Sequence, residues 1–531
     1  MSSASITSIP APATGNADGT YPWTPDQGNG TFRNPIIYAD YSDADAIRDG
    51  DDFYLVASSF NCTPGLPILH SRDLINWTII NHAIQNVPHP RYAQVQHGCG
   101  VWAPAIRFHN GKFWIFFPTP DEGIYVITAD NPAGRWSEPH LVQAGLGLID
   151  PCPFWDDDGK AYLVLAYAGS RAGIKHVLRV CPMAPDGTHL LGEGKIVFND
   201  PKRHPILEGP KFLKKDGWYY ILAPAGGVQT GWQVVLRSRN IFGPYEDKIV
   251  LEQGSTVING PHQGALIDLP NGEWWFLHFQ DAGVYGRIIH LQPVTWKDGW
   301  PLMGRDQDGN GIGEPVLRHT KPNATSGPVA IPQSSDEFDS SLLGLQWQWQ
   351  ANFSEKWFSL SSRSGWLRLF SQMAAGRPNN LAFAPNLLLQ KFPAAEFTIT
   401  TRLDGSKLAI GEKSGLVVNG TDYSYLAMER TGSGCRLVKV VCQDALNTGS
   451  EKTETAEPCP FDSAWLRVQV RTGGICHFSY SHDGKTFHPP GNLFTARAGK
   501  WVGAKVGLFC LAAGTNEKPG YADYDWFRFD G

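Results

Sequence analysis

The sequence lacks the features by which several classes of protein are recognised. It has no run of basic residues, and its formal net charge is −6 at pH 7, which argues against nucleic acid or an anionic membrane surface as a partner. No apolar stretch approaches the roughly 20 residues that a membrane-spanning helix needs. The nine cysteines stand at scattered spacings without a CxxC pair, so the sequence indicates neither a disulfide framework nor a zinc site. A neutral polymer is a better match as a partner.

Two further absences concern targeting and secondary structure. The N-terminal residues have no charged n-region and no apolar h-region, so they do not form a secretory signal. We therefore expect either an intracellular protein or one whose leader has been removed. Helical periodicity is missing over any useful window, whereas short aromatic strands separated by turns recur throughout, which predicts an all-β protein.

One pattern recurs five times in the first half of the chain. Each copy has a zero position, an apolar residue four positions later, a hairpin-type turn and an aromatic strand. A period of about 50 residues with several strands per unit predicts a β-propeller, here with five blades. We expect positive φ at both central residues of each turn. The zero positions are Asp43, Trp102, Asp150, Glu208 and His262, and the turns are Asp49-Gly50, Asn110-Gly111, Asp158-Gly159, Asp216-Gly217 and Asn271-Gly272.

The five zero positions are predicted to meet at the propeller axis, because the first strand of every blade lines it. Three carboxylates, an indole and an imidazole at one point make a poor core and a plausible active site. Cleavage of a glycosidic bond needs one carboxylic acid and one carboxylate, and inverting enzymes hold them about 6.5 to 9.5 Å apart. Blades one and four face each other across the axis, which favours inversion with Glu208 as general acid and Asp43 as general base. Asp150 would raise the pKa of Glu208 and bind a sugar hydroxyl.

Each assignment has a structural alternative. An aspartate at a strand start is usually a cap or turn residue, and Asp40 and Asp45 are interpreted in that way because only Asp43 is in register with the repeat. Trp102 is either blade core or a sugar platform, and its zero position favours the platform. His262 is either a ring-stacked structural histidine or a ligand of a cation or its waters at the axis. Arg287 forms either a surface salt bridge or hydrogen bonds to sugar hydroxyls.

Composition divides the chain into segments, and a length of 531 residues fits two or three domains. We predict an irregular N-terminal arm at 1–32, a five-bladed β-propeller at 33–317, a Pro/Ser/Thr-rich linker at 318–335 and a β-sandwich of jelly-roll type at 336–531. The sandwich has no cluster of carboxylates, so its expected role is support, with a loop bordering the catalytic pocket.

The propeller motifs resemble those of glycoside hydrolase family 43. The resemblance covers residues 33 to 317 and rests on NPIIYADYSDADAIRDGDDFYLVASSF, VWAPAIRF, LIDPCPFWDDDGKAYLV, HPILEGPKF, NGPHQGALID and GRIIHLQPVTWKDGWP. It implies an inverting enzyme with Asp43 as base, Asp150 as pKa modulator and Glu208 as acid. It also implies that Phe60 and Trp102 flank the sugar subsite and that Arg287 contacts substrate.

The same resemblance places His262 near a calcium ion or water cluster at the axis, with no cofactor required. The C-terminal part resembles the β-sandwich of members with β-xylosidase and α-L-arabinofuranosidase activity, where a loop closes the pocket and favours exo action. One departure is at the base: many members have Tyr-Pro-Asp-Pro, and this chain has Tyr41-Ser42-Asp43-Ala44.

The expected function is removal of a terminal pentose, β-D-xylose or α-L-arabinofuranose, from xylo-oligosaccharides or arabinoxylan-type hemicellulose. Two alternatives stay open on the sequence. An endo-arabinanase would have an open groove, and a non-catalytic carbohydrate-binding propeller would need Trp102 but not all three carboxylates. The expected partner is a pentose-containing carbohydrate, with no nucleic acid and no membrane.

Overall fold

A computed structural model of the chain describes residues 21–325, 327–373, 380–512, 514 and 519–530. Residues 1–20 of the predicted N-terminal arm lie outside the described residues. The described chain folds into five four-stranded sheets followed by two seven-stranded sheets. Successive four-stranded sheets contact one another, and the first sheet contacts the fifth. The predicted five-bladed propeller followed by a β-sandwich is therefore confirmed.

Each blade is an antiparallel meander of four strands that are consecutive in the sequence. Strand β1 (Thr31–Arg33) precedes the blades. The blade strands, in chain order, are β2 (Asp45–Asp49), β3 (Asp52–Val56), β4 (Gly65–Ser71) and β5 (Thr78–Ile84); β6 (Ala105–His109), β7 (Lys112–Thr119), β8 (Gly123–Ala129) and β9 (His140–Ala144); β10 (Leu148–Trp155), β11 (Ala161–Tyr167), β12 (Val177–Met183) and β13 (Lys195–Asn199); β14 (Lys211–Lys215), β15 (Trp218–Ala225), β16 (Trp232–Ser238) and β17 (Glu246–Leu251); β18 (His262–Asp268), β19 (Trp274–Asp281), β20 (Arg287–Lys297) and β21 (Trp300–Met303).

The first hairpin of each blade lies where the repeat predicts it, but the turn geometry differs among blades. Both turn residues have positive φ at Asn110-Gly111 and Asp216-Gly217, where the loop has two residues. In the other three predicted turns only the glycine has positive φ. The prediction of positive φ at both residues was wrong there. In blades three and five the strands are joined by longer loops that do not require a mirror-image turn, and in blade one the loop is shifted to Gly50-Asp51.

The ring is closed by residues from before blade one and after blade five. Strand β22 (Arg318–Thr320) pairs antiparallel with β1. The Asn34 side chain donates to the carbonyls of Leu291 and Val316 at 2.8 and 2.7 Å and accepts from the Leu291 amide at 2.8 Å. The predicted linker at 318–335 thus contains a strand, which is too short for an alternating pattern to reveal.

The C-terminal domain stacks two seven-stranded sheets, of order β23-β26-β35-β28-β29-β30-β31 and β24-β25-β36-β27-β32-β33-β34. Buried and exposed residues alternate along several strands because one face of each sheet packs on the core. The strands are β23 (Gln348–Trp349), β24 (Phe358–Ser359), β25 (Leu367–Phe370), β26 (Leu388–Lys391), β27 (Phe397–Asp404), β28 (Lys413–Asn419), β29 (Tyr423–Thr431), β30 (Gly434–Cys442), β31 (Lys452–Cys459), β32 (Ser463–Arg471), β33 (Ile475–Ser481), β34 (Phe494–Thr495), β35 (Lys505–Leu511) and β36 (Tyr521–Asp530).

Helical structure in the described residues is limited to short turns. They are the α-helical turn α1 (Gly169–Ala172) and the 3-10 turns Pro90–Ala93, Gly283–Tyr285, Glu355–Trp357 and Leu381–Phe383. In the part of the chain that the structure describes, no helix has the length and apolar character needed to cross a membrane.

The two domains are joined by backbone hydrogen bonds as well as by packing. Thr63, in the loop after β3, exchanges hydrogen bonds with the backbone of Trp349, at 3.0 and 2.6 Å. The Asn352 side chain accepts from the Val87 amide at 2.8 Å and donates to the Val87 carbonyl at 3.0 Å. The sandwich is thus fixed to the propeller by paired polar groups, and its loops have defined positions beside the propeller axis.

Candidate active site

Asp43 lies two residues before β2, in a left-handed backbone conformation with φ of 54°. Its carboxylate is held by three donors: Ser42 Oγ at 2.7 Å and Ser58 Oγ at 2.8 Å on Oδ2, and Arg287 Nη1 at 2.7 Å on Oδ1. Positive φ at a buried aspartate is a strained conformation of the kind found at functional sites. Hydroxyl and guanidinium contacts thus hold the aspartate in this conformation.

Asp150 lies in β10 at an irregularity in the pairing with β11, and its φ is 55°. A bulge of this kind re-aims a side chain relative to the regular strand. The Asp150 Oδ2 atom accepts from the Gly209 amide at 2.8 Å, which ties blade three to the residue after Glu208. Burial, together with the nearby charge of Asp43, raises the pKa of Asp150 to about 6.

Glu208 precedes β14 and faces the funnel, and its side chain is 29% exposed. Within the described residues no group donates a hydrogen bond to its carboxyl. Loss of hydration raises its pKa to about 8, with further contributions from the negative charges of Asp150 and Asp43. Arg287 and Lys175 oppose this shift in part. The carboxyl is therefore protonated at neutral pH, as a general acid must be.

His262 begins β18, and its Nε2 lies 3.6 Å from Oε1 of Glu208. Its ring is buried, 5.3 Å from the ring of Phe279, and neither ring nitrogen has a hydrogen-bond partner among the described residues. Burial and the positive charge of Arg287 lower its pKa to about 3, so the imidazole is neutral. A separation of 3.6 Å is beyond hydrogen-bond distance, so the two groups are close but not bonded.

The calcium ion expected at the propeller axis stays a prediction. In the residues that the structure describes, no three His, Cys, Asp or Glu side chains are grouped so as to hold a metal ion. Calcium takes six to eight oxygen ligands, whereas His262 offers nitrogen. The His262 ring nitrogens, which have no partner among the described residues, are suited to hydrogen bonding with ordered water.

Aromatic rings form the wall of the site. Phe60, with φ of 52°, lies 6.3 Å from Trp102 between ring centroids. The Trp102 ring is half-buried and lies below the guanidinium of Arg171 at 4.9 Å. Trp501, from the sandwich loop before β35, lies 6.2 Å from Trp102 in an edge-to-face arrangement. The predicted loop bordering the pocket is thus present, and it carries an indole.

The structure brings the predicted site residues together through contacts and charges. Arg287 reaches from blade five to Asp43. His262 contacts Glu208, and Asp150 contacts the backbone beside Glu208. Arg287 is engaged by Asp43 and Ser42 through Nη1. The prediction that it contacts substrate stays a prediction.

Three contributors were missed by the sequence reasoning: Ser42, Ser58 and Trp501. The two serines have no equivalent in the repeat. Ser42 adjoins Asp43 in the chain, and Ser58 reaches Asp43 because β3 returns beside the start of β2. Trp501 is one of 19 tryptophans, and its place between domains depends on tertiary docking. Its setting between Gly499 and Gly503 was the available signal for a tight loop.

The order of the blades and the acid-base grouping point to one family, and comparison with known proteins decides it. Residues 32–301 match the model described as "Glycosyl hydrolases family 43". The chain belongs to glycoside hydrolase family 43. Residues 335–530 match the model described as "Beta xylosidase C-terminal Concanavalin A-like domain". The protein is thus a glycoside hydrolase with the appended sandwich.

Similar proteins of family 43 extend over nearly the whole chain. A "Putative beta-xylosidase" of Xylanibacter ruminicola is 41% identical over 92% of this chain and 87% of its own length. A "Non-reducing end alpha-L-arabinofuranosidase" of Bacteroides ovatus is 30% identical over 94% of each chain. The crystal structure of the GH43 protein BlXynB from Bacillus licheniformis has a TM-score of 0.81 at 28% identity, covering 94% of this chain and 99% of that one.

Proposed function

We propose that the protein is an inverting, exo-acting glycosidase that releases a terminal pentose from xylo-oligosaccharides or arabinoxylan-type hemicellulose. The observation that carries this proposal is the pairing of a carboxyl whose pKa is raised to about 8, Glu208, with a carboxylate paired to Arg287, Asp43. One supplies a proton and the other accepts one, as hydrolysis of a glycoside requires.

In the proposed reaction, Glu208 gives its proton to the glycosidic oxygen as the bond from that oxygen to the anomeric carbon breaks. A water molecule on the opposite face attacks the anomeric carbon while Asp43 accepts its proton. The new bond forms opposite the broken one, so the anomeric configuration inverts. Glu208 ends as carboxylate and Asp43 as acid, and exchange with solvent restores both.

Asp150 supports the acid role of Glu208 through its charge, which is one of the causes of the raised pKa of Glu208. Arg287 supports the base role of Asp43, because it compensates the carboxylate charge and fixes its orientation together with the two serines.

Exo action is supported by the shape of the wall. Phe60 and Trp102 come from the propeller, and Trp501 comes from the sandwich and meets Trp102. A wall contributed by a second domain narrows a funnel into a pocket that suits a chain end. The pentose itself is inferred from the relatives named β-xylosidase and α-L-arabinofuranosidase.

The experiment compares hydrolysis of p-nitrophenyl β-D-xyloside and p-nitrophenyl α-L-arabinofuranoside, with Asp43→Ala, which lacks the proposed base, as the inactive control. We expect release of p-nitrophenol from at least one substrate, and proton NMR should show the α-anomer of xylose first if β-xyloside is cleaved. Absence of hydrolysis of both substrates would contradict the pentose assignment. Initial release of β-xylose would contradict inversion. Internal oligomers from linear arabinan would instead indicate an endo-arabinanase.

A further inference from the structure

Asp40 is a buried carboxylate that joins the two domains behind the candidate active site. The residue is only 5% exposed. One oxygen, Oδ1, accepts from the backbone amide of Arg287 at 2.9 Å, and the other, Oδ2, accepts from the backbone amide of Gly503 at 2.9 Å. The first amide belongs to blade five and the second to the sandwich. The residue that the sequence suggested was a local turn aspartate is therefore a link between domains.

The two backbones meet closely at this link. A Cβ atom added to Gly286 would lie 2.5 Å from Asp40 Cγ and 2.7 Å from the Gly503 nitrogen. One added to Gly503 would lie 2.7 Å from the Gly286 nitrogen. The contact continues with the Ala504 amide, which donates to the Val284 carbonyl at 2.7 Å. Only glycine allows both chains to approach the carboxylate in this way.

Two parts of the active site are attached to the two amides. The Arg287 side chain donates to Asp43 at 2.7 Å and to Ser42 at 2.6 Å. Gly503 follows Trp501 by two residues, and the Trp501 ring lies 5.9 Å from the Arg287 guanidinium carbon. One carboxylate therefore fixes the backbone that carries the base's arginine and the backbone that carries the wall.

We propose that Asp40 is a positioning residue that couples docking of the sandwich loop 499–503 to the placement of Arg287, and through Arg287 to the orientation of Asp43. The inference rests on the proposed function, since it assigns Asp43 the role of base. In this arrangement the sandwich contributes to catalysis through the geometry of the base as well as through the pocket wall.

The coupling depends on a carboxylate with one acceptor oxygen for each domain. Asparagine has the same shape but a single acceptor, and its NH₂ group would face an N–H donor. Asp40→Asn therefore breaks one of the two hydrogen bonds without opening a cavity. Hydrogen bonds to charged groups contribute more than neutral ones, and their loss from a buried pair is costly.

A matched control is available in blade one. Asp73 is also 5% exposed. Its Oδ1 accepts from the backbone amides of Ile75 at 2.9 Å and Asn76 at 2.7 Å, and its Oδ2 accepts from the side-chain Nδ2 of Asn76 at 2.7 Å. Asp73→Asn makes the same chemical change at the same burial but within a single turn between β4 and β5. It reports the general cost of removing a buried carboxylate.

The test measures kcat and KM on the p-nitrophenyl glycoside that the wild type cleaves, together with hydrogen exchange at the Arg287 and Gly503 amides. For Asp40→Asn we expect kcat to fall about 10- to 100-fold, the range given by loss of one charge-assisted hydrogen bond, with a smaller change in KM. Both amides should exchange faster. Asp73→Asn should keep wild-type kcat and wild-type exchange at these two amides, even if its Tm falls equally.

A second variant approaches the same link from the sandwich. Gly503→Ala leaves Asp40 intact and forces the two backbones apart, so it should reproduce the fall in kcat and the faster exchange. Faster exchange with unchanged kcat in either variant would overturn the coupling, and so would unchanged exchange at both amides. If the wild type cleaves neither pentoside, the proposed function fails, while the exchange measurement still decides whether Asp40 links the two domains.

Discussion

The two carboxyl groups assigned to proton transfer lie in one funnel but in opposite surroundings. Asp43 receives three hydrogen bonds, one from a guanidinium. Glu208 receives none from the described residues and faces two other carboxylates and a neutral imidazole. Hydrogen-bond donors surround Asp43, whereas none among the described residues reaches Glu208. This difference shows how one site can hold an acid and a base at the same pH.

The strongest test of this comparison removes the acid. Glu208→Gln should lower kcat/KM by about 10²- to 10⁴-fold on a substrate whose leaving group needs a proton, such as xylobiose, because general acid catalysis typically contributes that much. The loss should be much smaller on a p-nitrophenyl glycoside, whose leaving group is already stable as an anion. Equal losses on both substrates would argue against proton donation by Glu208.

The next test weakens the donors of the base. Arg287→Lys keeps the positive charge but replaces a planar fork by a single ammonium, so it cannot hold Asp43 and Ser42 in the same geometry. We expect kcat to fall about 10-fold or more, as for loss of one charged hydrogen bond. Arg237→Lys, which alters an ion pair with Glu246 in blade four, is the matched control and should leave kcat unchanged.

A smaller effect is expected from the charge beside the acid. The acid form of Glu208 is present below its pKa of about 8 and is lost as pH rises through that value, so wild-type kcat/KM should decline above pH 8. Asp150→Asn removes a negative charge that raises this pKa. The alkaline decline should therefore move to lower pH in the variant. An unmoved alkaline limb in a pH–rate profile would show that Asp150 does not act through Glu208.

The smallest effect concerns stability. The pKa of Glu208 rises from 4.5 to about 8 on folding, so the folded state is penalised progressively as pH increases through this window. Glu208→Gln removes the penalty. The variant should have a higher Tm than the wild type at pH 9 and the same Tm at pH 4, measured by calorimetry. A constant difference across pH would indicate a packing effect instead.

The positions of Asp43 and Glu208 were predictable from the sequence because they follow the five-fold repeat. The register of the blades selected Asp43 over Asp40 and Asp45, since equivalent positions of successive blades converge on one axis. Asp45 instead pairs with Arg107 of blade two, at 2.6 Å, and holds the Ile106 amide at 2.9 Å. Periodic local patterns thus predicted the blades and the position of the three carboxyls.

The donors that distinguish acid from base were not predictable in the same way. Ser58 reaches Asp43 because β3 runs back beside the start of β2, and Arg287 reaches Asp43 although it is 244 positions away in the chain. The link from Asp40 to Gly503 spans 463 positions. Such contacts depend on how the domains dock, for which a single sequence carries no periodic signal.

The contact between Arg287 and Asp43 also crosses the join between the last blade and the first. The ring is held shut there by β1, β22 and the Asn34 side chain, without a covalent clasp. During synthesis, Asp43, the proposed base, can therefore pair with Arg287 only after nearly the whole propeller has been made. Hydrolytic activity would then depend on closure of the ring. A chain in which every blade is folded but the join is open would have no activity.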